Sequence, residues 1–259
     1  MSNYILHHHE ANVLQIKLNR PEKFNSFNRQ MALELLSVLK IASKENSIRS
    51  VFLTGEGKAF CAGQDLAEAM DPNGPGIKRI VEEHYNPIIL AIRYLEKPVV
   101  CAVNGVAAGA GANIALACDV VIAAESASFI QAFSKIGLIP DSGGTFLLPR
   151  LIGFQRASAL MMLGDKISAK EAIQMGMLYK IFPDDSLSSE GMKIAKTLSE
   201  MPTRGIALTK KLLNESSHQT LVEQLRREGE EQVIAAATYD YNEGVNAFLE
   251  KRKPLFKGE

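Results

Sequence analysis

The sequence predicts an α/β protein, and three observations carry that prediction. Short β-branched runs alternate with segments of helical periodicity from the N-terminus to Lys180-Ile181-Phe182-Pro183, after which the character is almost wholly helical. Hydrophobic residues make up 46% of the 259, enough for a sizeable core. The longest apolar stretch, residues 99–116, is interrupted by Asn104, Gly105, Gly109, Gly111 and Asn113, so no segment resembles a membrane span. In chain order, Ile5-Leu6, the run His7-His8-His9, a Glu-Ala-Asn turn and Val13–Leu18 read as a hairpin with exposed histidines, in preference to a metal site or a tag remnant. A helix follows over about residues 28–44, a strand over 49–54 and a helix over 77–94. A strand over 98–103 then precedes a Gly/Ala helix, and one over 119–123 precedes the helix after Asp141. From Leu187 the pattern is helical, with breaks expected near Met201-Pro202, Ser216 to His218 and Asn242 to Gly244, and this region suits packing or subunit contact.

Composition narrows the function. Lys plus Arg and Asp plus Glu both number 29, so the chain carries no electrostatic footprint for nucleic acid or an anionic membrane. Cys61, Cys101 and Cys118 have no metal-ligand spacing, and so sparse and odd a set, without a secretory signal, points to a reducing compartment, the cytoplasm. No carboxylate/histidine cluster suggests a metal, and no Gly-x-Gly-x-x-Gly with its acidic partner suggests a nicotinamide or flavin. His84 and His218 lack triad partners and there is no Gly-x-Ser-x-Gly elbow, which disfavours a serine hydrolase.

Three segments carry candidate chemistry. In 134–145, Asp141 is a lone carboxylate between Pro140 and Ser142-Gly143-Gly144-Thr145, at a loop-to-helix junction. It reads either as a helix N-cap or as an acid in a site. Gly55 to Leu66 and Asn104 to Asn113 each follow a strand and are rich in glycine and alanine. Either loop can present backbone N–H groups to a developing negative charge, or simply allow close helix packing. Cys61 beside the first loop has no histidine partner in sequence and reads as a small buried thiol.

Asn19-Arg20-Pro21 with Asn25-Ser26, Phe60-Cys61-Ala62-Gly63-Gln64-Asp65-Leu66, residues 104–111 and Gly137-Leu138-Ile139-Pro140-Asp141-Ser142-Gly143-Gly144-Thr145 resemble, in order, the signatures of the crotonase (enoyl-CoA hydratase/isomerase) superfamily. Residues 244–252 resemble its closing motif. The resemblance implies a spiral of ββα units over residues 1–197 that binds acyl-CoA. It implies a helical trimerisation region over 198–259, a homotrimer or hexamer, and no cofactor beyond the coenzyme A of the substrate thioester. It places the oxyanion donors at the N–H groups of Gln64 and Ala110, the latter where family members often carry glycine. The two glutamates of the family's hydratases match Asn113 and Phe133, which cannot exchange a proton as carboxylates do, whereas Asp141 matches the single acid of its double-bond isomerases. Ile139, Phe133 and Phe146 are expected to desolvate Asp141. Lys23 or Arg20, with Ala62, Gln64, Asp65 and Leu66, is expected to line the coenzyme A path, and Lys251 of a neighbouring subunit to approach the phosphates. Tyr85-Asn86-Pro87 and residues 133–141 resemble the branch of the family that converts 2-(1,2-epoxyphenyl)acetyl-CoA to oxepin-CoA. A Δ3-Δ2-enoyl-CoA isomerase, a residual hydratase and a catalytically silent acyl-CoA-binding subunit are the alternatives.

Overall fold

The computed structural model describes residues 3–259. Strands β1 (Ile5–Glu10) and β2 (Val13–Leu18) form an antiparallel hairpin whose two turn residues, Ala11 and Asn12, have φ of 47° and 65°. Such a turn matches the twist of the flanking strands. The three histidines are exposed on β1, the outer strand, as the hairpin reading requires. Helix α1 (Arg29–Lys44) is capped by Asn28, whose side chain accepts from the Met31 N–H, and it buries Met31, Leu35, Val38, Leu39 and Ala42 along one stripe.

The chain then repeats one manoeuvre. Strands β3 (Ser50–Gly55) and β4 (Ala59–Cys61) lead to α2 (Leu66–Met70), α3 (Gly76–Arg79), a π-helical turn over Ile80–Tyr85, and α4 (Asn86–Arg93). Next, β5 (Val99–Val103) and β6 (Val106–Ala108) lead to α5 (Ala110–Leu116). Finally, β7 (Val120–Ala124) and β8 (Ser128–Ile130) lead through a 3-10 turn (Ala132–Ile136) to α6 (Gly144–Ile152) and α7 (Phe154–Leu163). Each first strand joins a six-stranded sheet of order β1-β2-β3-β5-β7-β10 and each second strand a four-stranded sheet of order β4-β6-β8-β9. The chain therefore advances one position in both sheets per turn, which makes the spiral of ββα units. Strands β9 (Lys166–Ser168) and β10 (Lys180–Phe182), separated by α8 (Ala169–Gln174), close the two sheets. Strands β3 and β5 are buried throughout, as parallel strands covered on both faces must be.

Helix α9 (Leu187–Ser199) lies across β3 and β5. Helices α10 (Thr203–Glu215), α11 (Leu221–Ala236) and α12 (Tyr239–Leu249) follow. The first two breaks fall where the sequence places them, but the third does not. Thr238 caps α12 by accepting from the Tyr241 N–H, and the helix runs on through Asn242 and Gly244. Gly244 serves contact with Phe256, whose ring lies 3.4 Å from where a Cβ would stand.

The terminal helices are tied to the core by buried cations, Arg49 beside β3, which donates to Thr203, Met201 and Phe256, and Lys210. The Lys210 ammonium on α10 donates to the carbonyls of Ile92 and Lys97 at 2.7 and 3.2 Å and to Asp119 Oδ2 at 2.7 Å. Burial holds its pKa below the usual lysine value, against the pull of Asp119. Lys210→Ala is expected to lower the unfolding free energy by about 2 kcal/mol, less than for a fully enclosed pair because Arg93 still faces Asp119. An unchanged midpoint in urea denaturation contradicts this.

Candidate active site

Three segments from different turns of the spiral converge. Gly63 and Gln64 lie in the loop after β4, Ala110 opens α5, and Asp141 precedes α6. The orientation of the first two N–H groups follows from peptide planarity. The Gly63 carbonyl accepts from the Phe27 N–H at 2.7 Å, and the Asp65 N–H donates to the Phe27 carbonyl at 2.8 Å. In a trans peptide the N–H of Gln64 points away from the Gly63 carbonyl, hence away from Phe27. Among the described residues no acceptor takes it. The second loop runs close by: a Cβ on Gly63 would lie 3.0 Å from the Ala108 carbonyl oxygen and 3.7 Å from the Ala110 nitrogen. With φ of 93° as well, position 63 is restricted to glycine on both grounds.

Ala110 is the first residue of α5, and the Gly109 carbonyl accepts from the Asn113 N–H at 3.2 Å. The Ala110 N–H therefore projects out of the helix start and finds no acceptor among the described residues. Ala110 is buried and has no positive φ, so its methyl group is accommodated without backbone strain. Gly111 beside it permits the close approach of α5 to β4, since a Cβ there would fall 2.5 Å from the Cys61 carbonyl oxygen.

Asp141 is not a helix cap. The N-cap position of α6 belongs to Gly143, and the Asp141 carboxylate instead accepts from the Ser142 hydroxyl at 2.8 Å. Ser142 is buried in left-handed backbone with φ of 51°, a conformation that costs a non-glycine residue roughly 1 kcal/mol and that recurs at functional sites. Burial raises the pKa of Asp141 above the ordinary aspartate value, and the Ser142 hydrogen bond opposes that shift. Two of the three side chains expected to desolvate it do not. Ile139 is 82% exposed, and Phe146 is turned to a ring contact with His218 and to the Arg150 guanidinium. Phe133 is buried, against Gly109.

Sequence reasoning treated Asn113 only as a missing glutamate; the structure gives it a task. Its Nδ2 donates to the Asp141 carbonyl at 2.9 Å and its Oδ1 accepts from Gln131 Nε2 at 2.8 Å, all within the core. The helix that opens with the Ala110 N–H thus also grips the backbone of Asp141. No local spacing signals this contact, because the partners are 28 residues apart.

The expected coenzyme A contacts divide. Lys23, Ala62 and Leu66 are exposed along one rim, joined by the Ala62 N–H bond to the Phe24 carbonyl at 2.9 Å. Arg20, offered as an alternative to Lys23, is buried and committed elsewhere: it donates to Asp65 Oδ2 at 2.7 Å and to the Ser26 carbonyl at 2.9 Å. The Asp65 carboxylate also accepts from the Ala67 N–H as the cap of α2, and its main chain is engaged as well, the N–H donating to the Phe27 carbonyl and the carbonyl accepting from the Ala69 N–H. Lys251 is exposed beyond the end of α12, on the C-terminal helices. Cys61 is buried and its thiol is pushed up to about 12 by desolvation, which keeps it protonated and inert.

A spiral of ββα turns feeding two sheets defines a crotonase-fold protein, and the chain belongs to the enoyl-CoA hydratase/isomerase family, whose model matches residues 8–259. It is 47% identical, over the whole of both chains, to a 1,2-epoxyphenylacetyl-CoA isomerase of Escherichia coli (strain K12). It is 37% identical to a trans-2-decenoyl-[acyl-carrier-protein] isomerase of Streptococcus mutans, covering 98% of each chain. Among solved structures, an enoyl-CoA hydratase from Bacillus anthracis superposes with a TM-score of 0.93 at 35% identity, over 99% of this chain and 100% of that one.

The raised pKa of Asp141 has a consequence for stability. Above its native pKa the folded protein holds a desolvated carboxylate that the unfolded chain hydrates freely; below the ordinary aspartate pKa both states are protonated and the difference vanishes. Asp141→Asn is therefore expected to raise Tm near neutral pH, and the gain is expected to shrink as pH falls from the native pKa toward the ordinary aspartate value. A variant less stable than wild type at pH 7 in differential scanning calorimetry contradicts this.

Proposed function

We propose that the protein is an acyl-CoA isomerase in which the thioester oxygen rests between the N–H groups of Gln64 and Ala110 while Asp141 carries a proton from one carbon of the acyl chain to another. One carboxylate suffices because the proton removed is the proton returned, so nothing is gained or lost overall and no redox group takes part. The two N–H groups stabilise the enolate formed in between, and such donors are worth roughly 3–4 kcal/mol each where they have been removed in other enzymes. A carboxylate with a raised pKa is suited to holding the proton between the two steps. The observation that carries this reading is a lone, partly desolvated Asp141 tied by Asn113 to the helix that presents Ala110. Hydration is disfavoured by the same contact: Asn113 is fully engaged in holding Asp141 and Gln131, and Phe133 offers no proton. A silent subunit has no use for a desolvated acid beside two unpaired N–H groups.

The 47% identity to an epoxyphenylacetyl-CoA isomerase favours 2-(1,2-epoxyphenyl)acetyl-CoA as substrate, with oxepin-CoA as product. A shift of a chain double bond, Δ3 to Δ2, is the second reading, favoured by the decenoyl isomerase relative. For the coenzyme A moiety we assign Lys23, Ala62, Gln64, Asp65 and Leu66, with Lys251 reaching the phosphates from a neighbouring subunit. Residues 1–197 would form the acyl-CoA-binding core and 198–259 the oligomerisation region of a homotrimer or a hexamer built from two trimers. Support comes from the apolar residues left exposed on α11 and α12, among them Leu221, Val222, Val233, Phe248 and Leu249, each more than two-thirds uncovered in the single chain. Among the described residues no helix is long and apolar enough to cross a membrane. A cytoplasmic setting suits the three unpaired cysteines.

Asp141→Asn is expected to lower kcat for isomerisation of 3-enoyl-CoA and of epoxyphenylacetyl-CoA by roughly 100- to 10,000-fold, with CoA-ester affinity nearly unchanged. In wild type, kcat is expected to rise with pH through an ionisation above the ordinary aspartate range, the deprotonated form being active. Wild-type turnover in the variant, followed by mass spectrometry of the products, contradicts the assignment.

A further inference from the structure

The π-helical turn Ile80–Tyr85 ends in a side chain that the mechanism above does not use. Tyr85 is completely buried, and its hydroxyl donates to Gln64 Oε1 at 2.8 Å. At the other end of the same amide, Gln64 Nε2 donates to Glu68 Oε2 at 3.1 Å and to the Asp65 carbonyl at 3.3 Å. Glu68 is itself fixed, because its two oxygens accept from the Arg29 N–H at 2.9 and 3.0 Å. The Tyr85 ring meets Phe27 edge to face, with centroids 6.1 Å apart at 67°. Phe27 is the residue whose main chain pairs with Gly63 and Asp65 on either side of Gln64. Tyr85 thus braces the donor loop twice, by its hydroxyl through the Gln64 amide and by its ring through Phe27. Widened helical turns of this kind are uncommon and concentrate at functional sites.

Resting on the isomerase reading above, we propose that Tyr85 is a positioning residue that holds the Gln64 N–H on the thioester oxygen, acting through the Gln64 side-chain amide. The direction of its hydrogen bond is constrained by chemistry. Burial and the nearby carboxylates of Asp141 and Glu68 keep the phenol protonated, so it remains a donor and Gln64 must present Oε1 to it. That orientation turns Nε2 toward Glu68, where a carboxylate can only accept. The side chain of Gln64 is then clamped at both ends while its main-chain N–H faces the cleft. A donor displaced by a fraction of an ångström loses much of its advantage in a transition state, whereas ground-state binding of the large coenzyme A portion scarcely depends on it.

The test is a double-mutant cycle on 3-enoyl-CoA isomerisation with Tyr85→Phe, which keeps the ring against Phe27, and Gln64→Met, which keeps the main-chain N–H but removes the amide. Each single variant is expected to lower kcat by about tenfold with KM changed less than about twofold and Tm lowered by no more than a few degrees. The double variant is expected to be no slower than the worse single one, because both remove the same link. Multiplicative losses overturn the proposal, since Tyr85 would then act independently of Gln64. An unchanged kcat in either single variant overturns it as well, and so does a loss of rate matched by a rise in KM and a large fall in Tm. Asp141→Asn in the same assay separates the two readings: if it retains turnover, the isomerase reading fails whatever Tyr85 does. If it is inactive while Tyr85→Phe runs at the wild-type rate, only the positioning role fails.

Discussion

The site depends on one hydrogen bond, from the Asn113 amide to the carbonyl of Asp141. Helix α5 begins with the Ala110 N–H and carries Asn113 one turn later, on the same face. A single helix therefore links the Ala110 N–H to the main chain of Asp141. The Gly144 N–H also donates to the Asp141 carbonyl at 2.9 Å, so the start of α6 is fixed to the same oxygen. Gln131 holds the other end of the Asn113 amide and keeps its orientation unique. A glutamate at position 113 would carry acceptors where the Asp141 carbonyl needs a donor. The asparagine that cannot exchange a proton as a carboxylate would is thus the residue that secures the main chain of Asp141.

Around that bond the molecule accepts local costs. Ser142 occupies left-handed backbone without being glycine, and its buried hydroxyl is directed at the carboxylate. Asp141 is partly desolvated with one hydroxyl donor and no cation in its hydrogen-bond set, whereas Asp65, on the rim, has Arg20 to hold its carboxyl below the ordinary range despite burial. The two aspartates are separated in acidity by their neighbours. Asp65 is held below the ordinary aspartate range by Arg20, while burial leaves Asp141 above it.

Much of this was legible in the sequence, and the reasons are physical. Strands such as β3 and β5 are long β-branched runs, and the hairpin turn at Ala11-Asn12 sits between two such patterns, so period and turn chemistry reveal them. The four-stranded sheet of three-residue strands was not legible. At that length no periodicity exists, and β4, β6, β8 and β9 are defined by partners in other turns of the spiral. The third helical break was misread at Asn242 to Gly244 because a polar cluster resembles a breaker, whereas the capping hydroxyl of Thr238 decides the boundary. At the site, Gly63, Gln64, Ala110 and Asp141 stand out by motif. Asn113 and Tyr85 reach Asp141 and Gln64 across folded distance, and Ile139 was expected to desolvate Asp141 although it is exposed.

In the proposed reaction Gln64, Ala110 and Asp141 together make and quench an enolate at the carbon beside a thioester. Exchange of the α-protons of phenylacetyl-CoA with deuterated water, followed by proton NMR, tests it without requiring a complete reaction. Wild-type protein is expected to exchange these protons at a rate far above the buffer control, and Asp141→Asn is expected to reduce exchange to that control. Exchange that persists in the variant, or none in the wild type, would contradict the account.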